Sequence, residues 1–300
     1  MKKAKFIINP SSGKQNFIMQ VEGIIGCLIL NQIVNQIDVV YTKQERDARI
    51  EAGKIKKGEY DFLVVAGGDG TAGDAINGVI KGRSEVPVAV LAASITNSFA
   101  SSLGIPEDNK EAFCEMILGF KTKCIDVAKA NEDYFINVLA GGMIADVGYR
   151  VDQESKVVLG RLAYFIEGAK ELSKTAFTSF RLAFESEEYS GEGDVLLFVA
   201  ANSGNIAGMK DFVPDARLDN SSLHVAIFEK MDIGELSMLL IKFLQGEHLN
   251  HSKVKYFQTR KLKICELAGQ DMPVDCDGER YQKLPLKLEA CPKAIRIIVP

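Results

Sequence analysis

The sequence Phe62-Leu63-Val64-Val65-Ala66-Gly67-Gly68-Asp69-Gly70-Thr71 places an uninterrupted apolar run directly before a glycine-rich turn. The apolar run has the length of a strand and no polar alternation, which is typical of a parallel sheet that is covered on both faces. The glycines let the backbone turn sharply against an anion, and a helix that follows such a turn offers unpaired N–H groups. The pattern is neither the Walker motif nor the G-x-G-x-x-G fingerprint. It predicts phosphate binding, although a structural turn with Asp69 as a helix cap explains the same residues equally well.

Strand and helix signals alternate on both sides of this stretch as far as residue 126. The predicted strands are 5–8, 37–41, 62–66 and 88–91, and the predicted helices are 16–35, 45–57 and 71–81. This alternation predicts an α/β domain, residues 1–126, with a mostly parallel open sheet. Ligands of such sheets bind at the carboxyl ends of the strands.

The chain after residue 126 has turn-punctuated strand signals that are typical of antiparallel sheets. The predicted strands are 195–201, 223–228, 253–257, 261–266 and 295–299, with helices at 160–172 and 234–244. Residues 127–300 are therefore predicted to form a mostly antiparallel, β-rich second domain. No linker rich in Pro, Gly or Ser separates the halves, so an active-site cleft is expected between the two domains.

The composition excludes several classes of protein. The 300 residues are 47% hydrophobic and 25% charged, which are ordinary globular values, and the formal net charge of −4 argues against a nucleic-acid binder. No apolar stretch approaches the ~20 residues that cross a bilayer, and no signal-peptide core follows the basic start, so a cytoplasmic protein is expected. Six cysteines without a C-x-x-C pair, and only three histidines, argue against a zinc site and predict free thiols.

A second turn, Asn9-Pro10-Ser11-Ser12-Gly13-Lys14, follows the first predicted strand. In a parallel sheet it lies at the same edge as the glycine-rich turn, where its hydroxyls and its lysine can contact the same ligand. An ordinary turn with serine as a helix cap is the alternative interpretation.

Acidic residues cluster near the C-terminus in Asp275-Cys276-Asp277-Gly278-Glu279. Two or three carboxylates on a glycine-centred turn can hold a divalent cation or take a proton from a hydroxyl nucleophile. A surface hairpin explains the same spacing. Asp126, at the predicted domain junction, is a further acidic candidate, and a strand-end turn is its alternative role.

These three elements, in this order, resemble the bacterial soluble diacylglycerol kinase family of lipid kinases, which is related to sphingosine kinases and NAD kinases. The similarity extends over nearly the whole chain. Further matching segments are Asn77-Gly78, Phe99-Ala100, Phe135-Ile-Asn137, Leu159-Gly-Arg-Leu-Ala-Tyr164, Ala201-Asn-Ser203, Gly246-Glu-His248 and Asp277-Gly-Glu279. An NAD kinase would explain the glycine-rich turn but not the segments of the second half.

The resemblance implies that ATP lies against the glycine-rich turn and that a lipid hydroxyl attacks its γ-phosphate, with Mg²⁺ and acidic residues in the cleft. The residues that it implies for the nucleotide site are Asn9, Ser11, Ser12, Gly13, Thr42, Gly67, Gly68, Asp69, Gly70, Thr71, Asp74, Ile95 and Asn97. It implies Asp277, Glu279 and Asp69 as catalytic residues, the first two as the base and a metal-linked partner. The implied metal ligands are Asp69, Asp126 and Asp277, with Arg217, Asn220 and Ser222 around a second, structural Mg²⁺. Phosphoryl transfer is mostly positioning and charge neutralisation, so this sparse set is sufficient.

The chain departs from the family pattern at two places. Where the family reads Pro-x-Gly-Thr-x-Asn-Asp-Phe-Ala, residues 92–100 lack the glycine, the threonine and the acidic residue, and carry Ser94, Ile95 and Ser98 there. Asn220 stands at the position of an aspartate ligand of the second Mg²⁺. Because Mg²⁺ prefers anionic oxygen ligands, this second metal is expected to be weakened or lost.

One basic cluster consists of Lys253, Lys255, Arg260, Lys261 and Lys263. It suggests docking to an anionic membrane, at about 1 kcal/mol per basic residue near the surface. A solvated sheet face is the other interpretation, and it is the one that the sequence favours.

The sequence predicts a cytoplasmic two-domain lipid kinase, peripheral at the inner membrane surface, that transfers the γ-phosphate of ATP to a hydroxyl of diacylglycerol or a related lipid. The alternative is a catalytically impaired nucleotide-binding or lipid-sensing protein of the same fold, which the residues Ser94, Ile95 and Ser98 suggest. The expected ligands are ATP, Mg²⁺ and a lipid at the membrane surface, with no nucleic acid. The oligomeric state is open, a homodimer being one option.

Overall fold

The chain divides into two units. The computed structural model describes residues 2–12, 16–93, 97–107, 109–142, 178–206, 212–281 and 283–300. The first unit contains Met1–Val127 and Cys291–Pro300, and the second contains Ala128–Ala290. The sequence predicted a domain boundary after residue 126 and a second domain that extends to residue 300. In the structure the last ten residues belong to the first unit.

Four parallel strands form the centre of the first unit. They are β1 (Lys2–Ile8), β2 (Val34–Tyr41), β3 (Phe62–Gly67) and β4 (Val88–Ala92), in the order β4-β3-β1-β2. In the register, Ile8 lies opposite both Tyr41 and Ala66. All of β3 is buried, as its unbroken apolar run predicts. The predicted α/β unit with a parallel sheet is confirmed.

Five helices accompany this sheet: α1 (Phe17–Leu30), α2 (Asp47–Gly53), α3 (Asp69–Gly82), α4 (Ser98–Ser102) and α5 (Lys110–Gly119). The three predicted helices are confirmed as α1, α2 and α3, although α1 ends at Leu30 rather than at residue 35. Helix α3 begins inside the glycine-rich turn, with Gly68 as its extended N-cap residue. The turn therefore occupies the amino end of a helix.

Helices α2 and α3 approach each other closely because glycines line their contact. A side chain at Gly78 would collide with the Arg49 carbonyl oxygen, and a Cβ atom at Gly82 would lie 2.7 Å from the Gly53 carbonyl oxygen. This packing explains the Asn77-Gly78 segment without a ligand contact for Gly78. It also holds α2 rigidly against the helix that starts at the glycine-rich turn.

The second unit is antiparallel. Its strands are β6 (Asp133–Phe135), β7 (Val138–Gly142), β8 (Phe180–Glu185), β9 (Ser190–Ala201), β10 (Leu223–Glu229), β11 (Val254–Thr259), β12 (Lys261–Glu266), β13 (Val274–Cys276) and β14 (Glu279–Arg280). Strand β9 is the longest of them and pairs with β7, β8 and β10. The predicted β-rich second domain is confirmed.

Two further strands cross the division between the units: β5 (Thr122–Ala130) and β15 (Leu286–Ile298). The first part of β15 pairs with β12 in the second unit, and Ile297 lies opposite Val88 of β4 in the first. This single long strand explains why the C-terminal residues return to the first unit.

Helix α6 (Ile233–Leu244) confirms the helix predicted at 234–244. Asp232 and Glu235 form a reciprocal capping box at its start. The helix predicted at 160–172 lies outside the described residues. All six cysteines are free. None of the helices in the described part of the chain combines the length and apolarity that a membrane span requires.

Candidate functional site

The carboxyl ends of the parallel strands form one continuous edge in the first unit. The residue after each strand donates its backbone N–H to the neighbouring strand: Asn9 to Ala66 at 2.9 Å, Thr42 to Ile8 at 2.9 Å and Ala93 to Gly67 at 3.0 Å. Asn9, Thr42 and the glycine-rich turn therefore lie side by side, as the sequence predicted for a common ligand edge.

The glycine-rich turn is joined to the loop after β1. The Asn9 side-chain amide donates a hydrogen bond of 3.0 Å to the Thr71 hydroxyl. A Cβ atom at Gly67 would lie 2.6 to 2.8 Å from the Thr71 side chain, so only glycine allows this approach. The first N–H groups of α3 have no acceptor within the helix and are thus available to an anion.

The loop after β1 is itself a tight turn. Asn9 accepts the Ser11 N–H with its side-chain oxygen, at 3.0 Å, and the Ser12 N–H with its carbonyl oxygen, at 3.2 Å. Ser11 is exposed and Ser12 is half-buried. Their hydroxyls are therefore carried at the same edge as Gly68 and Gly70. Gly13 and Ile95 lie outside the described residues.

Asp69 links the glycine-rich turn to α4. Its carboxylate accepts the backbone N–H groups of Ser98, at 2.9 Å, and Phe99, at 3.3 Å. From the sequence, Asp69 was interpreted as a cap for its own helix or as a metal ligand. In the structure its carboxylate caps the next helix, α4. Asn97, just before α4, is buried and donates to Glu107 at 3.3 Å.

Asp74 links α3 to α2. The Arg49 guanidinium lies 2.9 Å from its carboxylate, and the Arg46 backbone N–H also donates to it. Burial raises the pKa of Asp74, and the positive charges of Arg49 and Arg46 oppose that shift. The contacts that the structure gives to Asp74 are thus with α2, and its implied contact with the nucleotide stays a prediction.

Asp126 is buried near the end of the first unit. One of its carboxylate oxygens accepts the Lys293 N–H at 2.8 Å, which holds β5 against β15. This contact is a structural one, and the implied role of Asp126 in binding Mg²⁺ stays a prediction.

Asp277 binds more backbone N–H groups than any other carboxylate for which the structure gives contacts in the predicted set. It lies in the left-handed region, at φ 52°, in the turn between β13 and β14. Its carboxylate accepts the backbone N–H groups of Ile136 at 2.7 Å and of Asn137 and Val138 at 2.9 Å. Burial raises the pKa of Asp277 to about 6 although the three N–H groups oppose the shift. The carboxylate is therefore ionised at neutral pH and keeps one lone pair for a further donor.

Three residues to which the sequence analysis gave no role, Asn137, Asn202 and Ser203, form hydrogen bonds in or to the segment that binds this carboxylate. Asn202 donates from its backbone to the Asn137 carbonyl at 2.8 Å and from its amide to the Ile136 carbonyl at 2.9 Å. The Ser203 hydroxyl donates to the Asn137 side chain at 3.0 Å. All three are buried. The only sequence signal for these residues was that they lie in the matching segments Phe135-Ile-Asn137 and Ala201-Asn-Ser203. In the structure the first segment binds Asp277 directly, and the second segment is hydrogen-bonded to the first.

The remaining acidic residues of this turn are more exposed. The Asp275 carboxylate accepts the Gly278 N–H at 3.0 Å and so stabilises the hairpin that spacing alone favoured. Glu279 begins β14 and is exposed. Its catalytic role stays a prediction.

Residues 217–222 do not fit the second Mg²⁺. The Asn220 amide nitrogen lies 3.2 Å from the Asp215 carbonyl oxygen and 2.5 Å from His224 Nε2, and its oxygen accepts the Ser222 N–H at 3.4 Å. Arg217 pairs with Asp219 at 3.4 Å. Burial lowers the pKa of His224, which favours its neutral form. An amide that already faces a histidine offers no anionic ligand to Mg²⁺.

No group of three or more His, Cys, Asp or Glu side chains in the described ranges converges into a possible metal site. Three lysines of the basic cluster form ion pairs with glutamates. Lys255, Lys261 and Lys263 pair with Glu229 at 4.0 Å, Glu289 at 3.1 Å and Glu185 at 3.3 Å, respectively. These pairs favour the solvated sheet face over a dedicated docking patch.

Two family models match consecutive parts of the chain. The "Diacylglycerol kinase catalytic domain" matches residues 3–130, and the "YegS C-terminal NAD kinase beta sandwich-like domain" matches residues 137–299. A crystal structure of a diacylglycerol kinase from Bacillus anthracis str. Sterne has a TM-score of 0.75 at 20% identity, covering 99% of this chain and 97% of that chain. At this identity the likeness shows the fold.

Curated relatives that carry the name diacylglycerol kinase match along the whole chain. The protein of Staphylococcus carnosus (strain TM300) is 30% identical over 299 residues, which cover 100% of this chain and 95% of the relative. The protein of Staphylococcus aureus (strain bovine RF122 / ET3-1) is 31% identical, covering 100% of this chain and 93% of the relative. With matches of this extent and with both domains accounted for, the chain belongs to the diacylglycerol kinase family of lipid kinases.

Proposed function

We propose that this protein transfers the γ-phosphate of ATP to a hydroxyl group of diacylglycerol or of a related lipid. One observation carries the proposal: the glycine-rich turn lies at the carboxyl edge of the parallel sheet and is joined to the loop after β1 by the Asn9–Thr71 hydrogen bond. Phosphoryl transfer depends mainly on holding and neutralising the phosphates, and this edge presents backbone N–H groups for that purpose.

The nucleotide binds along this edge. The N–H groups at the start of α3 bind phosphate oxygens, and the hydroxyls of Ser11, Ser12 and Thr42 lie beside them. Mg²⁺, which in such sites keeps several waters and contacts substrate phosphates, would be held beside the Asp69 carboxylate. That ion would supply charge neutralisation. The residues of this chain position the phosphates and exclude other orientations.

The acceptor hydroxyl gives up its proton to a carboxylate of the second unit. Asp277 is suited to this because its pKa of about 6 leaves it ionised at neutral pH while keeping it close to the working pH. The three N–H donors fix its orientation, so that little reorganisation accompanies the proton transfer. Glu279, two residues along, supports the reaction as a metal-linked carboxylate in this proposal.

The acceptor is a membrane lipid, so the protein works in contact with a bilayer surface and, we infer, on its cytoplasmic side. Because three lysines of the basic cluster pair with glutamates, that contact relies on fewer free charges than the sequence suggested. Lipid specificity therefore depends on the acceptor site more than on electrostatic docking.

The test is a kinase assay with labelled ATP and mixed micelles that contain diacylglycerol, ceramide, monoacylglycerol or a total lipid extract, resolved by thin-layer chromatography. The proposal predicts a labelled lipid phosphate from diacylglycerol or one of the related lipids. Asp277→Asn serves as the blank. If the wild-type protein binds ATP but labels no lipid in any extract, the protein is instead a nucleotide-binding or lipid-sensing member of the family, which the neutral Ser98 favours.

A further inference from the structure

Arg46 has two properties that the established packing of the first unit does not require. It is the N-cap residue of α2 and lies at φ 65° and ψ 1°, in the left-handed region. This conformation is unfavourable for a residue other than glycine. Its side chain is exposed, and no ion pair found among the described residues engages its guanidinium. A strained backbone that carries an exposed cation is typical of a ligand contact.

The surroundings fix Arg46 at the ligand edge. Its segment begins at Thr42, the residue that follows β2 at the carboxyl edge of the sheet. The Asp47 carboxylate accepts the N–H groups of Lys43 at 2.8 Å and Gln44 at 3.1 Å, which folds the segment into a turn. The segment from Thr42 to Arg46 therefore stays close to the carboxyl edge of the sheet.

The Arg46 backbone is also tied to the helix of the glycine-rich turn. Its N–H donates to Asp74, which lies three residues, or one helical turn, after Thr71 on α3. Residues three apart share one face of a helix. Arg46 thus lies above the same face of α3 that contacts Asn9 through the Thr71 hydroxyl. Arg49, one turn further along α2, neutralises Asp74 at 2.9 Å and leaves the Arg46 charge available.

We propose that the Arg46 guanidinium binds the phosphate chain of the nucleotide and thereby selects a nucleoside triphosphate over less charged nucleotides. This inference rests on the proposed function of the glycine-rich edge. Guanidinium groups bind phosphate oxygens with paired, charge-assisted hydrogen bonds. The strained conformation is retained because it directs this group to the ligand edge, where glycine would supply the backbone shape but no charge.

Two arginines of the first unit give a matched comparison. Arg83 is also exposed and left-handed, at φ 54°, but it is the C-cap residue of α3, at the end of the helix far from the glycine-rich turn. Arg46→Gly and Arg83→Gly therefore each remove one positive charge and one left-handed side chain, the first beside Asp74 of α3 and the second after the last turn of α3. The relief of strain offsets the conformational freedom that glycine loses on folding, so we expect both variants to keep the thermal stability of the wild type.

Calorimetry with a non-hydrolysable ATP analogue, ADP and adenosine measures the effect. We expect Arg46→Gly to weaken analogue binding about tenfold or more, to weaken ADP binding less and to leave adenosine binding unchanged, because one charge-assisted hydrogen bond contributes that factor. The salt dependence of analogue binding becomes shallower as well. Arg46→Lys recovers part of the affinity, and Arg83→Gly behaves as the wild type.

Several outcomes overturn the inference. Equal analogue affinity in Arg46→Gly and the wild type refutes it, and a loss of thermal stability with unchanged affinity shows that Arg46 only balances the Asp74 charge. A phosphate of a lipid headgroup has the same chemistry as a nucleotide phosphate, so sedimentation with phosphatidylglycerol vesicles is measured in parallel. If Arg46→Gly loses vesicle binding and keeps analogue binding, the nucleotide assignment of Arg46 is wrong. If the wild type binds no analogue at all, the proposed function fails together with this inference.

Discussion

Asp69→Ala tests whether the glycine-rich turn is a working nucleotide site. The substitution removes the acceptors of two backbone N–H groups, those of Ser98 and Phe99, which lie 2.9 and 3.3 Å from the carboxylate. Both residues are buried, so water does not readily replace the lost acceptor. It also removes the carboxylate that we assign to Mg²⁺ binding.

The loss of stability follows from the two orphaned donors. Each costs about 1 kcal/mol, in line with the loss of a helix cap or of a buried hydrogen bond. A total of about 2 kcal/mol lowers the unfolding temperature by roughly 4–8 °C for units of this size. It lies well below the 5–15 kcal/mol that separates typical folded and unfolded states. The protein therefore stays folded, and we expect turnover to fall by ~10² or more because the phosphates are no longer positioned.

Asn109→Ala is the control for the structural part of this effect. The Asn109 side chain accepts the Ala112 N–H at 2.9 Å and so caps α5, a helix to which no ligand contact is assigned. Its loss costs about 1 kcal/mol and removes no residue that is assigned to the nucleotide or to Mg²⁺. Thermal unfolding, calorimetry with ATP and the lipid-labelling assay are measured on both variants. Asp69→Asn, which keeps one acceptor, provides a second variant if alanine is not tolerated. Wild-type turnover in Asp69→Ala, or an equal loss in Asn109→Ala, would refute the assignment.

Three further predictions concern the acidic and substituted positions. Asp277→Asn and Glu279→Gln should each lower turnover by ~10² or more with ATP binding intact. The wild-type turnover should rise with pH until the pH passes the Asp277 pKa of about 6, and Asp277→Asn should lack this rise. The pKa of Asp277 is higher in the folded protein than its unfolded value of 3.8, so the free energy of unfolding should fall as pH rises from about 4 to about 6. In urea unfolding, Asp277→Asn should lack this dependence of the unfolding free energy on pH. Ser98→Asp should raise diacylglycerol phosphorylation if a neutral residue limits it, whereas a fall on every lipid would show a site rebuilt around serine. Asn220→Asp should make the unfolding temperature respond to Mg²⁺ and to chelator, and an unchanged response would mean that His224 keeps the loop closed to metal.

The sequence was most informative where local pattern decides structure. The run at 62–66 is a buried strand because no polar residue interrupts it, and the glycines after it turn because only they allow the approach of Thr71. Parallel topology then placed Asn9 and Thr42 beside the turn without further information. Each of these inferences used residues that are neighbours in the chain or in adjacent parallel strands.

The sequence was least informative where a carboxylate binds backbone N–H groups far along the chain. Asp277 accepts from residues about 140 positions away, and every residue type except proline offers the same donor, so no pattern marks the partner. The same limit hid the contact of Asp69 with α4. The glutamate partners of the basic cluster could not be identified for a related reason, since they lie on strands that pair only in the folded sheet.

The contacts of the glycine-rich turn indicate how this chain can be a kinase with few catalytic side chains. Thr71 is held by Asn9, Asp69 holds α4, and Asp74 holds α2, so three different elements fix the first turns of α3. Donors that are fixed before the ligand arrives need no reorganisation as charge develops on the phosphates, and such preorganisation is commonly the largest contribution to catalysis. Loosening any one of these contacts should therefore reduce turnover more than it reduces ATP affinity. If the three contacts were only structural, turnover and affinity would instead fall together with thermal stability.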